Sequence, residues 1–190
     1  MYLHDSNRIF IYYNFKIKQD ITSRKKNISW ALCNSPIGEL FIMLNKDKII
    51  KIELISKKEF QKNKISFFRE NYEENNNKIE KIRDIIFYKN NDLKIELKGT
   101  AFQLKVWENI LKTKFGEILS YSEVSERINK KSSHRAVANA LKANEIAFLI
   151  PCHRIIKKSG DIGGFKWGRK RKKEILEYER CLVKSHKKND

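Results

Sequence analysis

The 190-residue chain is predicted to be an α/β (α+β) protein. An N-terminal small antiparallel three-stranded sheet with helices precedes a C-terminal helical, winged-helix-like domain with a helix-turn-helix. Three observations predict this. Residues 28–55 hold three short runs of strand formers separated by turn residues. At Gly99-Thr100 charged, Asn-rich sequence gives way to a broad apolar helical face. Residues 121–143 read as two short helices across a polar break.

Residues 8–17 are rich in strand formers and 18–27 are polar and basic, so 1–27 form an N-terminal extension to which no chemistry is assigned. In the N-terminal domain, residues 28–98, strands over 28–33, 39–44 and 49–55 are joined by the turns 34–38 and 45–48, a meander in which Cys33 packs. One or two helices are expected within 57–91. Ile79, Ile82, Ile85 and Ile86 share a helical face, and Asn75-Asn76-Asn77 and Asn90-Asn91 read as loops.

The C-terminal domain, residues 99–182, opens with Thr100 as an N-cap and a core helix over 101–113, whose apolar face includes Leu104, Trp107 and Leu111. Ser120 and Glu123 have capping-box spacing, with Val124 and Ile128 facing inward behind them. After a break at 129–133, a helix over His134–Ala143 places Val137, Ala140, Leu141 and Asn144 inside. Arg135, Ala138, Asn139 and Lys142 lie on its outer face. Small alanines and an arginine at the N-terminal end suit approach to a DNA duplex, although a plain helical hairpin has the same pattern. Residues 157–168 form a Gly-rich loop. A last helix spans 169–182 and a basic tail, 183–190, is expected to be disordered.

The chemistry centres on Ile146 to Ile156. A five-residue apolar run stops at Pro151, presents Cys152-His153-Arg154 and turns apolar again, as a buried strand or tight core connection would. Pro151 restricts the residue before it and pins Cys152. Cys152 is therefore either a buried packing cysteine or a held nucleophile. On the last helix Ile175, Leu176, Glu179 and Leu182 share a stripe, which puts a carboxylate on an apolar face. Such a group needs a partner, and His153 is the natural one.

The formal net charge of +18 points to an anionic partner such as nucleic acid or an acidic membrane surface. However, 31 of the 41 basic residues are Lys, a bias that an AT-rich coding sequence also produces. Residues 1–98 carry 20 basic and 13 acidic side chains and residues 99–190 carry 21 and 10, so the second half is the better binding surface. The first turn of the last helix, Arg169 to Lys173, either meets that partner or is solvated. Three dispersed cysteines make no disulfide framework and fit a reducing compartment. No run is apolar enough to span a membrane, no signal peptide is evident, and no spacing suggests a zinc site.

Pro151-Cys152-His153-Arg154, preceded by Tyr121, Arg135 and Asn144 and followed by Ile162-Gly163-Gly164-Phe165-Lys166-Trp167-Gly168 and Glu179, resembles the O6-alkylguanine-DNA alkyltransferase (methylated-DNA–protein-cysteine methyltransferase) family. The resemblance is dense over about 99–180, including Gly99-Thr100-Ala101-Phe102-Gln103, and thin at Ser35-Pro36-Ile37-Gly38-Glu39-Leu40. It implies repair of double-stranded DNA carrying O6-alkylguanine, and of O4-alkylthymine as a second substrate. Cys152 would be the acceptor, used once, with no cofactor and no metal. His153 and Glu179 would form the relay that draws its proton through a water, and Asn144 would brace the turn beside the thiol. Arg135 would enter the duplex where the damaged base has left the stack. Tyr121 would crowd the adjacent phosphate, and Ala138 and Lys142 would complete the DNA face. Tyr121, Ile155, Ile162, Gly163, Phe165 and Lys166 would form the substrate pocket, guanine being read partly through main-chain groups at Cys152, Ile155 and Lys166.

Phe165 stands where many members have Tyr and Ala147 where some have Pro, which would alter tolerance of bulky alkyl groups. A monomer in the cytoplasm, or in the nucleus of a eukaryote, is expected. The competing readings are a non-catalytic alkylated-DNA-binding protein, a thiol hydrolase and a DNA-binding regulator. The retained Cys152 argues against the first. The hydrolase would need direct contact between Cys152 and His153, whose side chains diverge in extended chain. The buried thiol and the Glu-bearing helix argue against the regulator.

Overall fold

The structure is a computed structural model, and it describes residues 9–15, 27–67, 72–89 and 91–186. Most of the loop expected over 18–27, Asn90 and residues 187–190 of the tail lie outside the described residues. The element order is β1 (Ile9–Phe15), β2 (Ile28–Ser35), β3 (Gly38–Asn45), β4 (Lys48–Leu54), α1 (Lys57–Phe67), β5 (Tyr72–Glu74), α2 (Asn76–Phe87), β6 (Leu93–Gly99), α3 (Ala101–Leu111), β7 (Leu119–Ser120), α4 (Tyr121–Arg127), α5 (His134–Lys142), a 3-10 turn (Cys152–Arg154), β8 (Ile155–Ile156) and α6 (Arg169–His186).

The meander β2-β3-β4 is antiparallel, and it is the centre of a larger six-stranded sheet in the order β1-β6-β4-β3-β2-β5. The three added strands all pair in parallel: β1 with β6, β6 with β4 and β5 with β2. Parallel partners cannot be joined by tight turns, so no hairpin signal marks them. β6 does carry a signal that the sequence reading left unused, because Leu93, Ile95 and Leu97 are buried while Lys94 and Lys98 are exposed. That is the period-two alternation of a strand with one covered face. Part of the extension, Ile9–Phe15, is thus an edge strand of this sheet.

Both faces of the meander are covered, and strand periodicity sorts the side chains between them. Ile28, Trp30, Phe41 and Met43 join Phe60 of α1 in one cluster. Ala31, Cys33, Leu40, Ile42 and Leu44 face the other way, into the main core with α2 and the C-terminal helices. α2 is capped by Asn75, whose side chain accepts from Lys78 N, and Asn76 and Asn77 form its first turn, so the run expected to be a loop instead starts a helix.

The capping signals of the C-terminal half correspond to helix starts. Thr100 and Gln103 form a reciprocal capping box at α3, and Ser120 and Glu123 form one at α4. Trp107 is a packing residue, buried with its Nε1 donating to Ala140 O at 3.0 Å. A Cβ at Gly99 would lie 2.8 Å from the Trp107 ring, so glycine lets β6 pass directly into α3. α6 continues to His186, beyond the expected end at 182, so the first residues of the basic tail are helical.

The apolar run 146–150 takes the second of the two forms expected for it. Only Ile146 makes a strand-like bridge, to Ile52 of β4, and the chain then turns tightly with Phe148 at φ 67°. Ile52 N donates to Glu145 O and Ala147 N to Ile52 O, at 2.9 and 3.0 Å. The segment leading to Cys152 is therefore docked on the N-terminal sheet. Among the described residues no helix is long and apolar enough to cross a membrane.

Candidate active site

Cys152 opens the 3-10 turn that Pro151 precedes, and it is 4% exposed. It lies at the wall of a cavity of about 440 Å³. α5 supplies Ala138, Asn139, Leu141 and Lys142 to this cavity, α4 supplies Tyr121, and the Gly-rich loop supplies Gly164, Phe165 and Lys166. Of the residues expected in the substrate pocket, Tyr121, Phe165 and Lys166 line it and Ile155, Ile162 and Gly163 do not. Ile155 is buried in β8, and its carbonyl accepts from Lys172 Nζ. Gly163, at φ 68°, lies behind Tyr121, whose hydroxyl would be 3.1 Å from any Cβ there. That close approach and the positive φ both disfavour a side chain at Gly163.

Asn144 is buried at the end of α5 and holds the turn together. Its Nδ2 donates to Ile146 O, Ile150 O and Cys152 Sγ at 3.3, 3.1 and 3.2 Å, and its Oδ1 accepts from Ile146 N at 2.8 Å. Burial pushes the Cys152 thiol up to about 11, against the lowering effects of the Asn144 hydrogen bond and the Lys172 and Lys166 charges. At neutral pH the group is a thiol, and to act as a nucleophile it must lose its proton to a base.

A histidine is adjacent in sequence. His153 Nε2 lies 2.9 Å from Glu179 Oε1 on α6, both groups being buried. Burial pushes Glu179 up, but the hydrogen bonds and charges of His153 and Arg154 outweigh it and hold the carboxyl to about 2. Burial lowers His153 from its ordinary value in spite of Glu179, so the imidazole is neutral. An ionised carboxylate accepts, so Nε2 carries the proton and Nδ1 is the basic nitrogen. Nδ1 is buried without a hydrogen-bond partner among the described residues. No hydrogen bond joins Cys152 directly to His153 among those residues, and the ring instead stacks on Phe148 with centroids 5.9 Å apart.

Sequence reasoning missed Arg154. Its Nε donates to Glu179 Oε1 and Oε2 at 3.1 and 3.0 Å, Nη2 to Oε1 at 2.7 Å, and Nη1 to Thr113 Oγ1 at 3.0 Å. The signal was available, since an arginine inside a run otherwise apolar needs a buried anion as much as Glu179 needs a cation. Lys172 was read with the basic run of α6 but is fully buried, its Nζ donating to the carbonyls of Ile155 and Gly164 and its burial drawing it down to about 8. Its neighbours are also tied, Arg169 to Asp161 at 3.0 Å and Arg171 to Glu59 at 2.6 Å. Arg169, Lys170 and Lys173 stay exposed, so the run Arg169 to Lys173 is in part a clamp between elements and in part an open cationic face.

On the outer face of α5, Arg135 and Lys142 are exposed and Ala138 is half-buried, beside the exposed Lys130 and Lys131 of the turn. Ser125 Oγ pins that turn by donating to Lys130 O and accepting from Ser133 N. A cationic helix face and a thiol-bearing cavity therefore share one side of the C-terminal domain.

The buried triad makes the fold acid-sensitive. Glu179 sits below its ordinary 4.5, so its stabilisation is present above 4.5 and is lost as pH falls towards 2. His153 sits below its ordinary 6.5, so the unfolded chain takes up that proton first, and stability also falls below 6.5. Urea unfolding should show stability declining from pH 6.5 downward and steepening below 4.5. A flat profile through that range would contradict the arrangement.

Residues 101–181 match the family profile of the 6-O-methylguanine DNA methyltransferase DNA-binding domain. A protein of Acanthamoeba polyphaga mimivirus named "Probable methylated-DNA--protein-cysteine methyltransferase" is 46% identical over 89 residues, 47% of this chain and 59% of that one. The methylated-DNA–protein-cysteine methyltransferase of Mycobacterium tuberculosis is 40% identical over 89 residues, 47% of this chain and 54% of that one. The chain thus spans about half the length of these curated relatives. The crystal structure of Mycobacterium tuberculosis OGT in complex with DNA superposes with a TM-score of 0.66 at 26% identity, covering 80% of this chain and 93% of that one. The O6-methylguanine-DNA methyltransferase of Pyrococcus kodakaraensis, at 20% identity and a TM-score of 0.56, shares the fold over 80% of this chain and 98% of its own.

Proposed function

We propose that the chain is a member of the O6-methylguanine DNA methyltransferase family, whose DNA-binding domain residues 101–181 match, and that it repairs double-stranded DNA by moving the alkyl group of O6-alkylguanine onto Cys152. O4-alkylthymine is a second substrate of the same chemistry. The observation that carries the reading is a buried thiol at a cavity walled by the DNA-facing helix, with a neutral His153 held by Glu179 beside it.

α5 lies against the duplex, with Lys142 on phosphate, Ala138 allowing close approach and Arg135 entering the space that the lesion vacates. Flipping the base costs a few kcal/mol, which the cationic face offsets. Tyr121 borders the cavity and crowds the phosphate beside the flipped nucleotide. Main-chain groups at Cys152 and Lys166 meet the base edge, whereas Ile155 has its carbonyl already engaged by Lys172.

In the transfer, His153 Nδ1 takes the thiol proton through a water while Glu179 stabilises the imidazolium that forms. Sγ attacks the alkyl carbon, the carbon–O6 bond breaks, and its electron pair goes to O6. Guanine is restored when the ring takes up one proton. The product is a thioether, whose sulfur is a poor leaving group towards water, so each molecule acts once, as a monomer and without a cofactor.

The test is intact mass after incubation with a short duplex carrying one O6-methylguanine, followed by peptide mapping. A single methyl gain per chain, located on Cys152, is expected. Tight binding to that duplex with no mass gain would leave a lesion-binding protein and end the enzymatic reading.

A further inference from the structure

The N-terminal sheet reaches the cavity through one carboxylate. Glu53 on β4 is buried, and it accepts from Trp167 Nε1, from Lys166 Nζ at 3.4 Å and from Lys51 Nζ at 3.2 Å. Lys166 Nζ also donates to the main-chain carbonyl of Asn144 at 2.8 Å and lies 5.0 Å from the centre of the Trp167 ring. Asn144 is the residue whose side chain donates to Cys152 Sγ, and Lys166 lines the cavity. A second contact ties the same strand to the same segment, Lys51 to Glu145 at 3.7 Å. One anion from the first half of the chain therefore holds two neighbouring residues of the Gly-rich loop and, through Lys166, the end of α5.

We propose that Glu53 is a positioning residue for the transfer, which fixes the loop wall of the cavity relative to Cys152 by holding Lys166 and Trp167; this rests on the function proposed above. A buried carboxylate tolerates desolvation only while its donors stay in place. The indole N–H has a single direction in which to donate, so Glu53 defines an orientation as well as a distance. Without the negative charge, the Lys166 ammonium is drawn to solvent and leaves the Asn144 carbonyl. The wall then loosens around the thiol, while α5, which carries the DNA-facing residues, stays anchored by Val137, Ala140 and Leu141 in the core.

The test uses the full chain with Glu53→Gln, Lys166→Met and the double variant. Glutamine keeps an acceptor for Trp167 and nearly the same volume, which protects folding. Three rates or constants are read: single-turnover transfer from the O6-methylguanine duplex, the dissociation constant for that duplex, and carboxamidomethylation of Cys152 by iodoacetamide with buried Cys33 as internal reference. Misplacing reacting groups by about 1 Å costs about 100-fold, so transfer should slow by about 10- to 100-fold in each single variant.

Because the two residues act as a unit, the double variant should be no slower than the worse single one. Duplex affinity of Glu53→Gln should hold, Cys152 should react faster with iodoacetamide, and Cys33 should not. Unchanged transfer in Glu53→Gln, losses that multiply in the double variant, or Cys33 opening together with Cys152 would each overturn the proposal. If the wild type transferred no methyl group while the coupled change at Cys152 persisted, the proposed reaction would fall and the hold of Glu53 on the thiol site would stand.

Discussion

A Cys152→Ala variant is expected to gain no methyl group from an O6-methylguanine duplex while binding that duplex as the wild type does. The other two thiols cannot substitute. Cys33 is buried in the sheet and Cys181 is exposed on α6, and neither lines the cavity. The exchange is structurally mild, because Asn144 Nδ2 retains Ile146 O and Ile150 O as acceptors after losing Sγ. A loss of about 1 kcal/mol is expected for removing one buried sulfur. Binding and stability thus remain measurable where chemistry is absent. The companion His153→Ala keeps the thiol but removes the base proposed for it, and should slow single-turnover transfer by about 10²- to 10⁴-fold. Methyl uptake by Cys152→Ala would move the acceptor elsewhere.

Glu179→Ala should destabilise the protein by about 3–5 kcal/mol, as removal of one partner from a buried ion pair does. Glu179 is 1% exposed and receives His153 Nε2 and both Nε and Nη2 of Arg154, which is itself 5% exposed. Without the carboxylate the guanidinium is left buried with no anion, only Thr113 oxygens and the face of the Phe115 ring among the described residues, and His153 loses the group that fixes its tautomer. Small domains are stable by only about 5–15 kcal/mol, so the change takes a large share of the total. Urea unfolding at neutral pH reads it directly. A loss below about 1 kcal/mol, the range of exposed pairs, would show that Arg154 and His153 do not depend on Glu179.

Helix starts were legible because a cap acts within four residues. The Thr100 cap, the Ser120–Glu123 box and the inner face of α5 could be read from spacing alone. The stripe that carries Glu179 was legible for the same reason, and its misfit with apolar neighbours pointed to His153. Arg154 escaped because Glu179 was matched with His153 alone, although an arginine inside an apolar run also needs a buried anion. The run at the start of α6 was legible only in part: Arg169, Lys170 and Lys173 are exposed as a surface run should be, yet Lys172 points inward, and Arg169 and Arg171 find carboxylates 8 and 112 residues away.

The sequence by itself therefore determined most of the local elements, the match of residues 101–181 to a known DNA-binding domain and the candidate thiol, because periodicity, caps and contiguous motifs act between near neighbours. Tertiary structure alone decided the parallel pairing of β1, β5 and β6, the fork of Arg154 on Glu179 and the reach of Glu53 to Trp167. Each joins groups far apart in the chain, and which donor meets which buried anion depends on where packing leaves them.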